Sequence, residues 1–221
     1  MKNARQHLLA IALVAALGAG AASPALALSE GARQQLDGIQ ARWAEVNYKL
    51  PDKQREAAFA ELAQQAAQAV AAEPTAAELH IWHGIVLSTY AGAKGGLGAL
   101  DLVKKARTEL EEALKLDPKA LDGSAYTSLG SLYYQVPGWP LGFGDDAKAE
   151  TLLKQALAIN PDGIDPNYFY GDFLLRKKRY AQARPVLEKA LAAPDRPGRA
   201  AADEGRRGEI RQRLKEIESK L

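Results

Sequence analysis

One spacing recurs along this chain and constrains it more than anything else. Four prolines close four alanine-bearing segments: Ala69 to Pro74, Ala113-Leu114-Lys115-Leu116-Asp117-Pro118, Ala156-Leu157-Ala158-Ile159-Asn160-Pro161, and Ala190-Leu191-Ala192-Ala193-Pro194. In the last three, another alanine stands seven residues upstream: Ala106, Ala149 and Ala183. Seven residues return to the same helix face, so two small side chains there let a neighbouring helix come close. Each closing proline follows a helix that it cannot continue. Ahead of each such helix lies a glycine, in His83-Gly84, Leu129-Gly130 and Tyr170-Gly171. Composition points the same way, with 43 Ala and 30 Leu against only 20 Val, Ile and Thr together. These residues describe an all-α chain of repeated helix pairs.

The order Tyr126, Leu129, Gly130, Tyr133, then Ala149, Ala156 and Pro161 resembles the tetratricopeptide repeat (TPR), a helix-turn-helix of ~34 residues. The unit beginning near Gly171 fits in length, with 12 residues from Gly171 to Ala183 and Tyr180 three before the alanine. The two earlier units are longer, 22 residues from Gly84 to Ala106 and 19 from Gly130 to Ala149. The resemblance implies a TPR-like α-solenoid of antiparallel helix pairs, a right-handed superhelix whose concave groove is lined by the first helix of each repeat. Counted from the repeat glycines, the groove would present Ile81 and Ile85, then Thr127 and Tyr134, then Tyr168 and Asp172. None of these is a cation, so an apolar and mildly acidic ligand face is expected. The implied function is a non-catalytic scaffold for a protein or peptide partner, with no cofactor.

Residues 1–27 carry a second pattern. Lys2, Arg5 and His7 precede the apolar run Leu8 to Leu17, and small residues surround Pro24 up to Ala27. Ten apolar residues are too few to span a bilayer of ~30 Å. The pattern is that of a secretory signal peptide cleaved after Ala27, which places the mature protein in the periplasm. The remainder divides into a degenerate helical hairpin at 28–74, three repeats at 75–198 with inserted loops near 91–101 and 136–146, and a helix at 199–221. In that last helix Ile210, Leu214, Ile217 and Leu221 form a narrow apolar stripe, which suits an amphipathic cap on the end of a solenoid.

The loop Pro137-Gly138-Trp139-Pro140 ahead of a TPR helix also resembles periplasmic T-component proteins associated with TRAP transporters. That likeness implies an alternative, a solute-binding or transport-accessory protein holding a small hydrophobic molecule. Trp139 and Phe143 of the loop need apolar cover, either from the solenoid edge or from a partner.

Other chemistry is thinly represented. Without cysteine there is no disulfide, thiolate metal site or cysteine nucleophile. His80 and His83 share a helix face but lack a third histidine in the mature chain, so packing rather than metal binding is expected. The run Gly92 to Gly98 lacks the Gly-Lys-Ser/Thr order of a phosphate loop. Asp145 and Asp146 suit a helix start. Without residues 1–27 the chain has 27 basic and 27 acidic side chains, which argues against bulk attraction to nucleic acid. No later segment is apolar for long enough to span a membrane.

Overall fold

Small side chains and closing prolines divide the chain into hairpins of helices. The computed structural model describes residues 28–220, whose regular structure is all helix, with no strand among them. The helices are α1 (Glu30–Tyr48), α2 (Asp52–Ala72), α3 (Ala77–Lys94), α4 (Gly98–Leu116), α5 (Ala120–Gln135), α6 (Asp146–Ile159), α7 (Ile164–Arg176), α8 (Tyr180–Leu191) and α9 (Ala200–Glu218). Residues 1–27, where the signal peptide is expected, lie outside the described residues, as does Leu221 of the expected apolar stripe.

The repeat residues meet where their spacing requires. A Cβ added at Gly84 would fall 2.7 Å from Leu110, at Gly130 2.8 Å from Leu153, and at Gly171 2.6 Å from Leu187. Each leucine stands four residues after the repeat alanine, on the same face. Ala106, Ala149 and Ala183, with Ala113, Ala156 and Ala190, are fully buried. Glycine and alanine thus remove the side chains that would hold the paired helices apart. A second device ties repeats together. His80 and Asn167, each four residues before a repeat glycine, reach back to the carbonyls of the closing prolines, His80 Nε2 to Pro74 at 3.0 Å and Asn167 Nδ2 to Pro161 at 2.8 Å.

The two expected insertions are built differently. The ten extra residues of the first unit are spent on helix, since α3 runs to Lys94 and α4 starts at Gly98. Only Gly95, Gly96 and Leu97 connect them, with both glycines at positive φ. Helix continues through most of 91–101 because nothing from Leu87 to Lys94 breaks it. The second stretch is a true loop, folded tightly on itself: Gly144 N–H donates to the Pro137 carbonyl at 2.9 Å and Gly142 N–H to Gly138 at 3.1 Å. Asp145 ends it as the N-cap of α6, accepting from the N–H groups of Ala147 and Lys148 at 3.0 Å.

Each odd-numbered helix packs on the next, α1 on α3, α3 on α5, α5 on α7 and α7 on α9. α9 also packs back on α1, so the succession closes on itself. Its fully buried residues are Ile210 and Ile217, with Ala202 nearly so. No described helix is long and apolar enough to cross a membrane.

Candidate functional site

Closure of the odd-numbered helices leaves a lumen between them, a cavity of about 1030 Å³. Every odd helix gives it one stripe at helical spacing: Gln40, Trp43 and Asn47 from α1; Trp82, Ile85 and Thr89 from α3; Ser124, Ser128 and Ser131 from α5; Asp165, Tyr168 and Asp172 from α7; Arg206, Glu209 and Arg213 from α9, with Arg199 at its N-cap. A helix repeats every 3.6 residues, so steps of three and four keep each stripe on the inner face.

The lumen is zoned. The α1–α3 wall is aromatic: Trp43 and Trp82 meet edge to face at 5.9 Å, and Trp43 Nε1 donates to Thr89 Oγ1 at 2.9 Å. The α5 wall carries serine hydroxyls. The α7–α9 wall is ionic, with Asp165 between Arg206 (Nε, 2.8 Å) and Arg196 (Nη1, 2.6 Å). Burial alone would push the Asp165 carboxyl up, but the two guanidinium groups outweigh it and hold the pKa at about 2. Arg206 also lies over the rings of Tyr168 at 4.4 Å and Phe169 at 4.7 Å. Asp172, almost fully buried, pairs with Arg213 Nε at 2.7 Å and Arg176 Nε at 3.1 Å, and accepts from the Tyr134 hydroxyl at 2.8 Å.

The residues expected on the groove therefore have different surroundings. Ile85, Thr127, Tyr168 and Asp172 line the lumen. Ile81 does not, being fully buried in the core, because it lies on the α3 face turned to its neighbours. Tyr134 is half-buried between repeats, its ring edge against Phe173 at 5.7 Å and its hydroxyl on Asp172. Burial, reinforced by the Asp172 charge, pushes that hydroxyl well above the usual tyrosine range. In the 136–146 loop, Phe143 finds cover on Tyr133 at 5.4 Å and under Arg107 at 4.5 Å. Trp139 finds none and is 91% exposed, as Leu141 is at 69%.

Cations absent from the expected groove positions are supplied by α9. Arg206 and Arg213 within it, and Arg199 at its N-cap, stand a step of seven apart, the first two each four residues before Ile210 and Ile217 and so on the same side of the helix, and that periodicity is readable in the sequence. What the sequence does not show is that this face turns inward.

Residues 141–202 match the tetratricopeptide-repeat family model. The fold is a TPR solenoid. A thermophilic TPR protein of Thermus thermophilus, TTC0263, superposes with a TM-score of 0.58 at 20% identity, covering 84% of this chain and 80% of that one. Yeast Tom70 superposes with a TM-score of 0.53 at 15% identity, covering 86% of this chain but 34% of its own. No curated protein matches in sequence. The described residues contain no group of three His, Asp or Glu side chains arranged to hold a metal ion. His80 and His83 instead share Glu109, at 2.6 and 3.3 Å from their Nδ1 atoms.

Proposed function

We propose that this chain is a non-catalytic scaffold that docks a protein partner along the edge where odd-numbered helices turn into even-numbered ones. The observation that carries this reading is the group of large apolar side chains standing free there. Leu97 is 86% exposed in the α3–α4 turn, and Trp139 and Leu141 project from the α5–α6 loop of the next repeat. Large apolar side chains left exposed in successive turns mark candidate interaction surfaces, and the TPR fold supports the same reading. A photoreactive residue at position 139 or 97 should give a discrete adduct with the partner in cells, and one at Gln155, exposed on α6, should not. Equal adducts from all three positions would sink the proposal.

A second reading has its own observation. The lumen, near the upper end of the ~300–1,000 Å³ typical of ligand pockets, suits a small solute better than an extended peptide. The contact of α9 on α1 joins the two ends of the solenoid around this cavity. The likeness of the 136–146 loop to TRAP T-components belongs with this reading. We further propose that the protein acts after export, supported by the residue pattern at 1–27. Mature protein recovered from the producing cell should then have a mass that begins at Leu28.

A further inference from the structure

The lumen holds six arginines, and five of them have a carboxylate. Arg55 pairs with Asp52 at 3.1 Å, Arg176 and Arg213 with Asp172, and Arg196 and Arg206 with Asp165. Arg199 meets no carboxylate among the described residues. Its guanidinium lies over the Trp82 ring at 4.8 Å and donates from Nη1 to Gln40 Oε1 at 3.2 Å, while Nε is buried with no acceptor. A charge removed from water without a counter-charge is costly, and groups so placed are normally paired. Burial and the nearby cation of Arg196 weaken its hold on the proton, and the charges of Asp165 and Asp203, too far away to pair with it, offset this only in part.

We infer that Arg199 is the anchor for the carboxylate of a small organic acid bound in the lumen, its apolar body lying along the α3 wall at Ile85. This rests on the second reading above, a lumen that takes a solute. Guanidinium suits a carboxylate because its planar donors match the two oxygens. The neighbouring wall sets the rest of the ligand's chemistry. Ile85, one turn along α3 from Trp82, offers apolar surface, while Trp43 and Trp82 show only their edges, 7% and 4% exposed, and the Trp43 N–H is already satisfied by Thr89. An aromatic or short acyl body would be covered there. Across the lumen, Ser124 and Ser128 offer hydroxyls to any polar substituent. The paired arginines of α7 and α9 do not compete for the carboxylate, since Asp165 and Asp172 already neutralise them.

The test uses the protein with Trp139→Phe, so that Trp43 and Trp82 are the only fluorophores of their kind. 4-Phenylbutyrate and octanoate are titrated against the matched amides. Both acids should shift the tryptophan emission saturably, and the amides should bind roughly ten- to hundredfold more weakly, the range expected for a charge-assisted hydrogen bond. Arg199→Gln should lower acid affinity to that of the amides without changing the amides, and Arg199→Lys should restore part of it. Melting curves of both variants establish that they fold. Acids and amides of equal affinity, or an Arg199→Gln variant that binds acids normally, would overturn the assignment of Arg199. Ser128→Phe, which narrows the lumen, separates the two levels. If it abolishes binding of acids and amides alike while Arg199→Gln still binds acids normally, the solute reading stands although Arg199 is not the anchor. If no probe binds the parent protein, both are wrong.

Discussion

Tyr48, at the end of the first described helix, lies against the backbone of Gly205 in the last one, so close that a Cβ at position 205 would sit 2.4 Å from the tyrosine ring. This contact joins α9 to α1 and makes a lumen out of a groove. Gly205→Val should therefore open the succession of odd-numbered helices. Overpacking of this kind costs about 1–3 kcal/mol, or roughly 2–12 °C in melting temperature for a chain of this size. Small-angle scattering should show a larger radius of gyration than the parent. A variant of unchanged size and stability would mean that closure does not depend on this contact.

Gly130→Leu should be harsher than its helix propensity suggests. The added side chain meets Leu153, fully buried, with the Leu153 backbone nitrogen 3.3 Å from the new Cβ. Replacing glycine in a helix gains about 1 kcal/mol, and overpacking removes about 1–3 kcal/mol. Calorimetry should show a lower midpoint than the parent. An unchanged or raised midpoint would contradict the packing.

His80 and Glu109 make stability depend on pH in two directions. His80 Nε2 faces the Pro74 carbonyl, which can only accept, and Nδ1 faces the Glu109 carboxylate, so both ring nitrogens carry protons. The Glu109 hydrogen bond, opposed in part by burial, raises the His80 pKa above its ordinary 6.5. That contribution is full below pH 6.5 and is lost as pH rises through the raised value. Burial pushes the Glu109 carboxyl up, but hydrogen bonds from His80 and His83 outweigh it and hold the pKa at about 2. Its contribution is full above pH 4.5 and is lost as pH falls toward 2. The difference in melting temperature between parent and His80→Gln should therefore peak between pH 4.5 and 6.5. A difference constant from about pH 4 to 9 would contradict the pairing.

Arg206→Met should destabilise more than an exposed substitution does. Met preserves apolar bulk over Tyr168 and Phe169 but removes one of the two guanidinium groups beside Asp165. Breaking a buried pair by removing one partner costs about 3–5 kcal/mol, with the remaining Arg196 pair setting the effect at the lower end. Adding Asp165→Asn should recover much of the loss in denaturant titrations, because the stranded charge goes too. No recovery in the double variant would show that the arginine acts by packing alone.

Within one loop, two aromatic residues should behave oppositely. Trp139→Ser should change stability by no more than about 0.5 kcal/mol, since the ring touches little of the fold. Phe143→Ala removes the contacts to Tyr133 and Arg107 and should cost more than about 1 kcal/mol by the same measurement. The reverse order would mean that the loop folds the other way round.

Local rules were enough to settle the helix pairs. Gly130, Ala149, Ala156 and Pro161 act through periodicity and steric size, properties that each segment carries by itself, so their order already dictated which faces meet. The cap at Asp145 was legible for the same reason. Phe143 and Trp139 could not be told apart, because the difference between them is a neighbour, Arg107, supplied by another repeat. Ile81 looked like a groove residue because a repeat register fixes which residues are equivalent and leaves their exposure to the curvature of the whole solenoid.

The lumen belongs to tertiary structure alone. Whether α9 is merely a cap or also the wall that closes a cavity depends on the small rotation added at each repeat, summed over the chain. That sum brings Gly205 to Tyr48 and turns Arg199, Arg206 and Arg213 inward. The sequence by itself determined an all-α solenoid with glycine and alanine at its helix contacts. Only the accumulated curvature, which no single segment encodes, decided that its two ends meet and that one arginine faces the lumen without a carboxylate.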